Sequence, residues 1–227
     1  MQICIFSTLN HPLLSLFLDK YNLKKHDIKV IIDNYDDKEI VNTFNFRTKK
    51  KLNYKLIHKV KNKYPFYFFE NHNSRILANF IRNEKTDLIV NLGTPRILKK
   101  NILKASRIGI LNCHPGILPY YRGCNCVEWA IYNNDRLGNT CHLMSEKIDE
   151  GPIIYKKFTS YSKADRYYDI RIKSYLESLY CINKSIKILS LSKNLKDFEY
   201  PKNGTYWKKM NKKDFKKILI DYKYYQI

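Results

Sequence analysis

The sequence lacks several things, and each lack removes a class of protein. No stretch approaches the roughly 18 uncharged apolar residues of a membrane-crossing helix, and Met1 to Ser7 has no basic region ahead of a long apolar run. Membrane spanning and secretion are therefore disfavoured. The six cysteines, Cys4, Cys113, Cys124, Cys126, Cys141 and Cys181, form no C-x-x-C pair and no regular framework. They read as reduced thiols of a cytoplasmic protein without a metal site. No internal repeat and no low-complexity linker breaks the chain. Its 227 residues suit one substantial core with a short tail, set at residues 1–190 and 191–227. Acidic residues are scarce, 21 against 42 Lys and Arg, for a net charge of +21. Clustered cations bind phosphate chains by releasing counterions. These lysines are instead scattered through nearly every segment beside abundant Asn, Ile and Tyr, as in coding sequence rich in A and T. Nucleic-acid binding is disfavoured, and attraction to an anionic small substrate stays open.

What is present is a folded α/β pattern. A hydrophobic share of 44% places the chain among globular proteins. Short β-branched runs alternate with amphipathic stretches, the pattern of strand, crossover helix and parallel strand. Ile3–Ser7 and Ile28–Asp33 read as strands around a helix from Pro12 to about Lys24. Asn34–Asn53 reads as polar and irregular, Tyr54–Lys61 as helical and Phe66–Glu70 as a strand. A helix face at Ile76, Leu77, Phe80 and Ile81 precedes an apolar strand from Asp87 that closes on Gly93. Ile97–Lys104 reads as helix and Ile108–Asn112 as strand. Val127–Tyr132 reads as a short helix, Thr140–Ser145 and Ile153–Phe158 as neighbouring strands. A long helix follows with Ile172, Leu176, Leu179, Ile182, Ile186 and Leu189 on one face. It is expected to cover one sheet face.

The polar residues at the end of the strand near 112 carry the chemistry. Asn112 and His114 stand two residues apart, which in extended chain directs both side chains to one side. Acyl transfer to an amine needs a hydrogen-bond donor at the developing oxyanion and a group that moves a proton from the attacking nitrogen. Asn supplies a donor, and His supplies either function. Asp149, in a turn bounded by Gly151 and Pro152, is a carboxylate able to orient that imidazole. On these grounds alone an Asn-x-His pair is more often a loop or core feature than a catalytic one.

The run Asn112 to Gly123, N-C-H-P-G-I-L-P-Y-Y-R-G, resembles the signature of the formyltetrahydrofolate-dependent formyltransferases. Leu137 to Met144 with Ile148-Asp149-Glu150-Gly151-Pro152 is similar to that family's strand and aspartate loop. The resemblance runs from about Asp87 to Phe158. It implies a Rossmann-like formyltransferase core with a mostly parallel sheet, and Asn112, His114 and Asp149 as the catalytic trio. It also implies N10-formyltetrahydrofolate as formyl donor. The folate would lie against Gly93, Thr94, Pro95, Arg96, Ile97 and Leu98, and against Met144 to Ile148. A solvated helix-start residue is the plain alternative for Arg96. His142 is a candidate site wall or core residue.

Three branches of the family differ in the accepting amine. The glycinamide ribonucleotide branch has a glycine-rich phosphate loop after its first strand, where this chain reads Ser7-Thr8-Leu9-Asn10-His11-Pro12 without glycine. The initiator-tRNA branch carries a full second domain, and only about 35 residues follow the last long helix here. The third branch formylates amino sugars carried on a nucleoside diphosphate. Pro119 to Gly123 and Val127 to Tyr132 are similar to it in wording. The expected acceptor is thus a dTDP- or UDP-linked 4-amino-4,6-dideoxyhexose or its 3-amino isomer. Substrate contacts are expected at Asn10, Tyr121, Arg122, Tyr206 and Trp207, and a homodimer is a candidate assembly. A catalytically dead binding module is the competing class.

Overall fold

The computed structural model describes residues 1–55, 57, 63–162, 164–192 and 194–221. The chain divides into two compact units, Met1–Phe46 with Lys50–Asn112, and Arg47–Lys49 with the chain from Cys113 onward.

In the first unit, β1 (Gln2–Thr8) pairs in parallel with β2 (Asp27–Asp33), Gln2 opposite Asp27. On its other side β1 pairs with β4 (Leu88–Asn91), Ile3 opposite Leu88. β2 also pairs with β3 (Phe66–Phe69), and β4 with β5 (Gly109–His114), both parallel. Helix α1 (Pro12–Lys20) starts where Pro12 sits at its first turn and the His11 side chain accepts from the Leu13 N–H. Helix α3 (Arg75–Asn83) is capped by Ser74, whose hydroxyl accepts from Leu77 N–H. Leu14, Phe17 and Leu18 of α1 and Leu77 and Ile81 of α3 are fully buried with Ile3, Ile5 and Phe6 of β1. Each such side chain contributes roughly 2 kcal/mol of apolar burial.

Two expectations change here. The stretch read as irregular holds helix α2 (Lys38–Thr48). It buries little apart from Phe44 and Thr48, so its apolar period is too sparse to announce a helix. The helix expected over Ile97–Lys104 shrinks to α4 (Lys100–Leu103). Asn73 takes the backbone ahead of it, accepting from Lys99 N–H at 2.7 Å and donating to the Ile97 carbonyl at 3.0 Å. Those groups are then unavailable for a helical turn. Most of the helix expected over Tyr54–Lys61 lies outside the described residues.

The second unit holds β6 (Arg122–Gly123), α5 (Cys126–Tyr132), β7 (Gly138–Leu143) and β8 (Ile153–Phe158). Next come α6 (Tyr167–Leu191), a 3-10 turn at Leu195–Asp197, β9 (Tyr206–Trp207) and α7 (Lys212–Asp221). β7 and β8 are antiparallel, Gly138 opposite Phe158, with a register shift between Cys141 and His142. Helix α6 packs on β7 and β8 through a stripe that includes Leu179, Ile182, Ile186 and Leu189. A second core joins Tyr121, Val127, Ala130, Ile131, Tyr167, Ile170 and Met210. The seven-stranded sheet runs β3-β2-β1-β4-β5-β7-β8, parallel in each described pair except β7 with β8, and β6 and β9 form a small parallel pair of their own. This is the expected mostly parallel, Rossmann-like arrangement. Among the described residues no helix is long and apolar enough to cross a membrane.

Candidate active site

β5 stops at His114 because Pro115 has no N–H for the ladder and Gly116 turns the chain. A Cβ at Gly116 would lie 2.7 Å from the Tyr121 carbonyl oxygen and 3.0 Å from His114 Nε2. The turn is therefore tight enough for that carbonyl to meet the imidazole, and His114 Nε2 donates to it at 2.6 Å. A carbonyl only accepts, so Nε2 carries the ring proton and Nδ1 is the basic nitrogen. Nδ1 faces Asp149 Oδ2 at 3.4 Å.

Asp149 adopts a left-handed conformation, φ +55°, which Asp tolerates better than most residues. Two residues on, a Cβ at Gly151 would lie 1.7 Å from the Leu143 carbonyl oxygen, so only glycine closes this loop onto the end of β7. Asp149 Oδ2 accepts from Gly123 N–H at 2.9 Å, and Oδ1 stands 3.5 Å from His142 Nε2. Burial by itself would raise the carboxyl pKa. The His142 hydrogen bond, the His114 charge and the Gly123 N–H outweigh it and hold Asp149 at about 2. Burial dominates at His114 and pushes its pKa below the ordinary value, although Asp149 pulls the other way. At neutral pH the pair is an ionised carboxylate beside a neutral imidazole. A proton reaching Nδ1 would meet that carboxylate directly.

In the first unit, Asn112 Oδ1 accepts from Asn91 Nδ2 at 3.0 Å. That fixes the amide orientation and makes the Asn112 NH2 its donating end. Asn91 Oδ1 in turn accepts from the N–H groups of Gly93 and Thr94 at 3.0 and 2.8 Å. Gly93 has φ +121°, and a Cβ there would lie 2.3 Å from the His11 ring. Thr94 bonds His72 Nδ1 at 2.7 Å, and the His72 ring stacks on Phe6 with centroids 4.3 Å apart. Arg96 makes two bonds to Asp33, at 2.8 and 3.0 Å. Leu98 is buried, whereas Ile97 is 80% exposed. The loop expected against a folate thus has its polar groups tied inward and one apolar side chain turned out. In the second unit, Ile148 of the other expected folate stretch is 49% exposed, and Met144 is half-buried.

Several of the residues expected to contact substrate also bond within the protein. Asn10 gives its N–H and side-chain amide to Asp37, at 2.7 and 3.2 Å. A cavity of about 270 Å³ beside it is lined by Asp33, Asp36 and Asp37. Tyr121 lies in the core, and its hydroxyl donates to Asp135 at 3.0 Å. Arg122 pairs with Glu150 and donates to the Gly204 carbonyl at 3.0 Å. Trp207 stacks on Tyr121 with centroids 5.4 Å apart and donates to the Tyr120 carbonyl at 3.0 Å. Tyr121, Arg122 and Trp207 thus each take part in the packing of the second unit, and Arg122 Nε is buried without a hydrogen-bond partner among the described residues. Tyr206 keeps an exposed ring.

Residues 1–171 match the family model described as formyl transferase. The chain belongs to the formyl transferase family. This is a family of transferase enzymes. A relative is the bifunctional polymyxin resistance protein ArnA of Wigglesworthia glossinidia brevipalpis, 29% identical over 72% of this chain and 24% of that protein. The GDP-perosamine N-formyltransferase of Brucella melitensis is 33% identical over 41% of this chain and 36% of its own length. Methionyl-tRNA formyltransferases also match, and this chain spans 44% of the one from Wigglesworthia. The chain thus spans less than half the length of each of these relatives. Among solved structures, the N-formyltransferase of Helicobacter canadensis, determined with folinic acid and dTDP-3-aminofucose, has a TM-score of 0.60 at 20% identity. It covers 94% of this chain and 72% of that one.

Asn91, Asp33, His72 and Asp37 were not singled out from sequence. Asp33 and Asn91 each end a strand of the sheet, and a polar residue there was the available signal. His72 and Asp37 sit in loops with no local pattern to mark them.

Proposed function

We propose that the chain transfers the formyl group of N10-formyltetrahydrofolate to the amine of a nucleoside-diphosphate-linked amino deoxysugar in the cytoplasm, with residues 1–190 as the catalytic portion. The carrying observation is the buried His114–Asp149 pair at 3.4 Å on the formyltransferase motif. The amine nitrogen attacks the formyl carbon, and the donating end of Asn112 stabilises the oxygen that becomes negative. The proton leaving the amine is taken through His114 Nδ1 and Asp149, directly or through a water, and passes to the folate nitrogen as its bond to the formyl carbon breaks. Ile97 offers exposed apolar surface to a flat pteridine in the first unit, and the Gly93 loop admits only backbone there.

The acceptor reading has separate support. A nucleotide phosphate bound after β1 would need free N–H groups at the start of α1. There the Leu13 N–H is taken by His11 at 3.2 Å and the Asn10 N–H by Asp37 at 2.7 Å, and the cavity beside Asn10 is lined by three carboxylates, Asp33, Asp36 and Asp37, against one cation, Lys38. That disfavours a glycinamide ribonucleotide. The wording of Pro119 to Gly123 and the relatives that act on nucleotide sugars support the sugar. The net charge of +21 and the methionyl-tRNA formyltransferase relatives favour a second reading, an aminoacylated tRNA. The test offers a panel of dTDP-, UDP- and GDP-linked amino sugars and aminoacylated initiator tRNA at equal concentration and fixed salt. A formyl gain by mass on a nucleotide sugar is expected. Formylation of the tRNA alone overturns the acceptor assignment.

A further inference from the structure

The two backbone groups that hold the His114–Asp149 pair come from one short loop. The Tyr121 carbonyl accepts from His114 Nε2 and the Gly123 N–H donates to Asp149 Oδ2, at 2.6 and 2.9 Å. The loop is too short to fix itself, and its outer edge is built from residues 204 to 210. Arg122 N–H donates to the Thr205 carbonyl at 3.0 Å and Cys124 N–H to the Trp207 carbonyl at 2.9 Å, pairing β6 with β9. Trp207 Nε1 donates to the Tyr120 carbonyl at 3.0 Å, and its ring lies nearly parallel to Tyr121, 11° between planes. Trp129 packs on the Trp207 ring as well, centroids 4.9 Å apart, and its Nε1 donates to the Lys208 carbonyl at 2.9 Å. Met210 N–H donates to Asn125 Oδ1 at 3.2 Å. The two segments approach so closely that a Cβ at Gly123 would lie 2.5 Å from the Trp207 carbonyl oxygen, and one at Gly204 2.0 Å from that of Pro119.

We propose that the segment around β9 is a positioning element of the active site, in which Trp207 clamps the Tyr121–Gly123 loop and so fixes the tautomer and orientation of His114 against Asp149. Trp207 touches neither member of the pair through its side chain in the bonds described. It acts on both through the loop, one carbonyl holding the imidazole and one N–H the carboxylate. A tail kept only for stability would need neither a tryptophan bonded to the residue before Tyr121 nor strand pairing at the residues that flank Gly123. The tautomer matters because only with Nε2 held as N–H does Nδ1 remain the basic nitrogen toward Asp149. This inference rests on the formyl-transfer reading for its kinetic consequence, but the tautomer consequence stands without it.

The test compares Trp207→Ala and Trp207→Phe with the parent protein. ¹⁵N NMR of the histidine rings should show His114 as the Nε2–H tautomer in the parent. In folded Trp207→Ala, His114 should become a tautomer mixture, and its titration should rise toward the ordinary value by about half a pH unit or more as water enters. The charged and titratable groups facing the ring, Asp149 and His142, are unchanged by the substitution. Turnover should fall about 10-fold or more with KM for the formyl donor within about 3-fold, the pattern of lost positioning. Trp207→Phe, which keeps the stacked ring and loses one bond, should recover most of both. If Trp207→Ala does not fold, Trp207→Leu, which fills more of the space but also loses both the stacked ring and the bond to Tyr120, carries the same readouts. A folded Trp207→Ala or Trp207→Leu protein with the parent's His114 tautomer, titration and turnover overturns the proposal. A parent protein that shows the tautomer and its dependence on Trp207 but transfers no formyl group would sink the activity reading and leave the clamp standing.

Discussion

At the scale of single residues, the site depends on places where a side chain is forbidden as much as on those where one is required. Gly151 is the sharpest case, because the 1.7 Å that a Cβ would have to the Leu143 carbonyl oxygen involves backbone on both sides. Neither side can swing away. The loop holding Asp149 must lift off β7, and Asp149 must leave His114 and His142. Gly151→Ala is therefore expected to cost about 2 kcal/mol or more of stability and at least about 10-fold in turnover. Urea unfolding and steady-state kinetics on the purified variant check this, and parent-like values in both would show that the loop is slack. The motif-bearing residues Asn112, His114 and Asp149 were legible in the sequence because glycine and proline follow each group closely. Asn91 was not, since an asparagine ending an apolar strand has no local mark of the amide it orients.

At the scale of elements, α5 and α6 are joined by a buried ion cluster. Glu128 is fully buried, accepts from the Tyr167 hydroxyl at 2.7 Å, and lies 3.7 Å from Arg171 Nε and 3.7 Å from Arg47 Nε. Burial alone would raise its pKa, but the two guanidiniums outweigh it and keep Glu128 ionised. Removing Arg171 takes away the larger of the two cationic partners of a fully buried carboxylate and leaves Arg47 alone. Arg171→Leu is expected to destabilise the protein by about 3–5 kcal/mol, whereas Arg171→Leu with Glu128→Leu should recover much of that loss. Thermal unfolding of the single and double variants separates the two, and a loss under about 1 kcal/mol in the single variant would contradict the cluster's role. The strands and the long helix were readable because β-branched runs and a three-four apolar step survive without neighbours. Helix α2 was hidden because its buried face is little more than Phe44 and Thr48. The stretch before α4 falls short of the helix its sequence predicts because Asn73, far away in sequence, supplies the bonds that a helix would have made. That Trp207 and Arg122 bond within the second unit is hidden in the sequence because their partners, the Tyr120 and Gly204 carbonyls and Glu150, come from distant segments.

At the scale of the whole molecule, buried neutral imidazoles and low carboxyls set the pH response. Burial leads the causes that hold His11 and His72 at about 4, below the roughly 6.5 of an unfolded histidine. The unfolded chain therefore takes up protons first, and stability present above about pH 6.5 is lost as the pH falls toward 4. His114 works in the same direction. Asp149, at about 2, contributes stability above about pH 4 that disappears only as the pH falls through 2. The unfolding free energy from urea titrations should thus drop between about pH 7 and pH 4.5, by up to roughly 1.4 kcal/mol per pH unit for each such histidine. A flat profile would mean that these rings are not held neutral. Whether formyl transfer runs through the His114–Asp149 pair is read out by single-turnover formyl transfer by His114→Asn, with circular dichroism confirming the fold. Turnover is expected to fall by at least about 100-fold. A folded His114→Asn protein that transfers the formyl group at nearly the parent rate would remove the pair from the reaction.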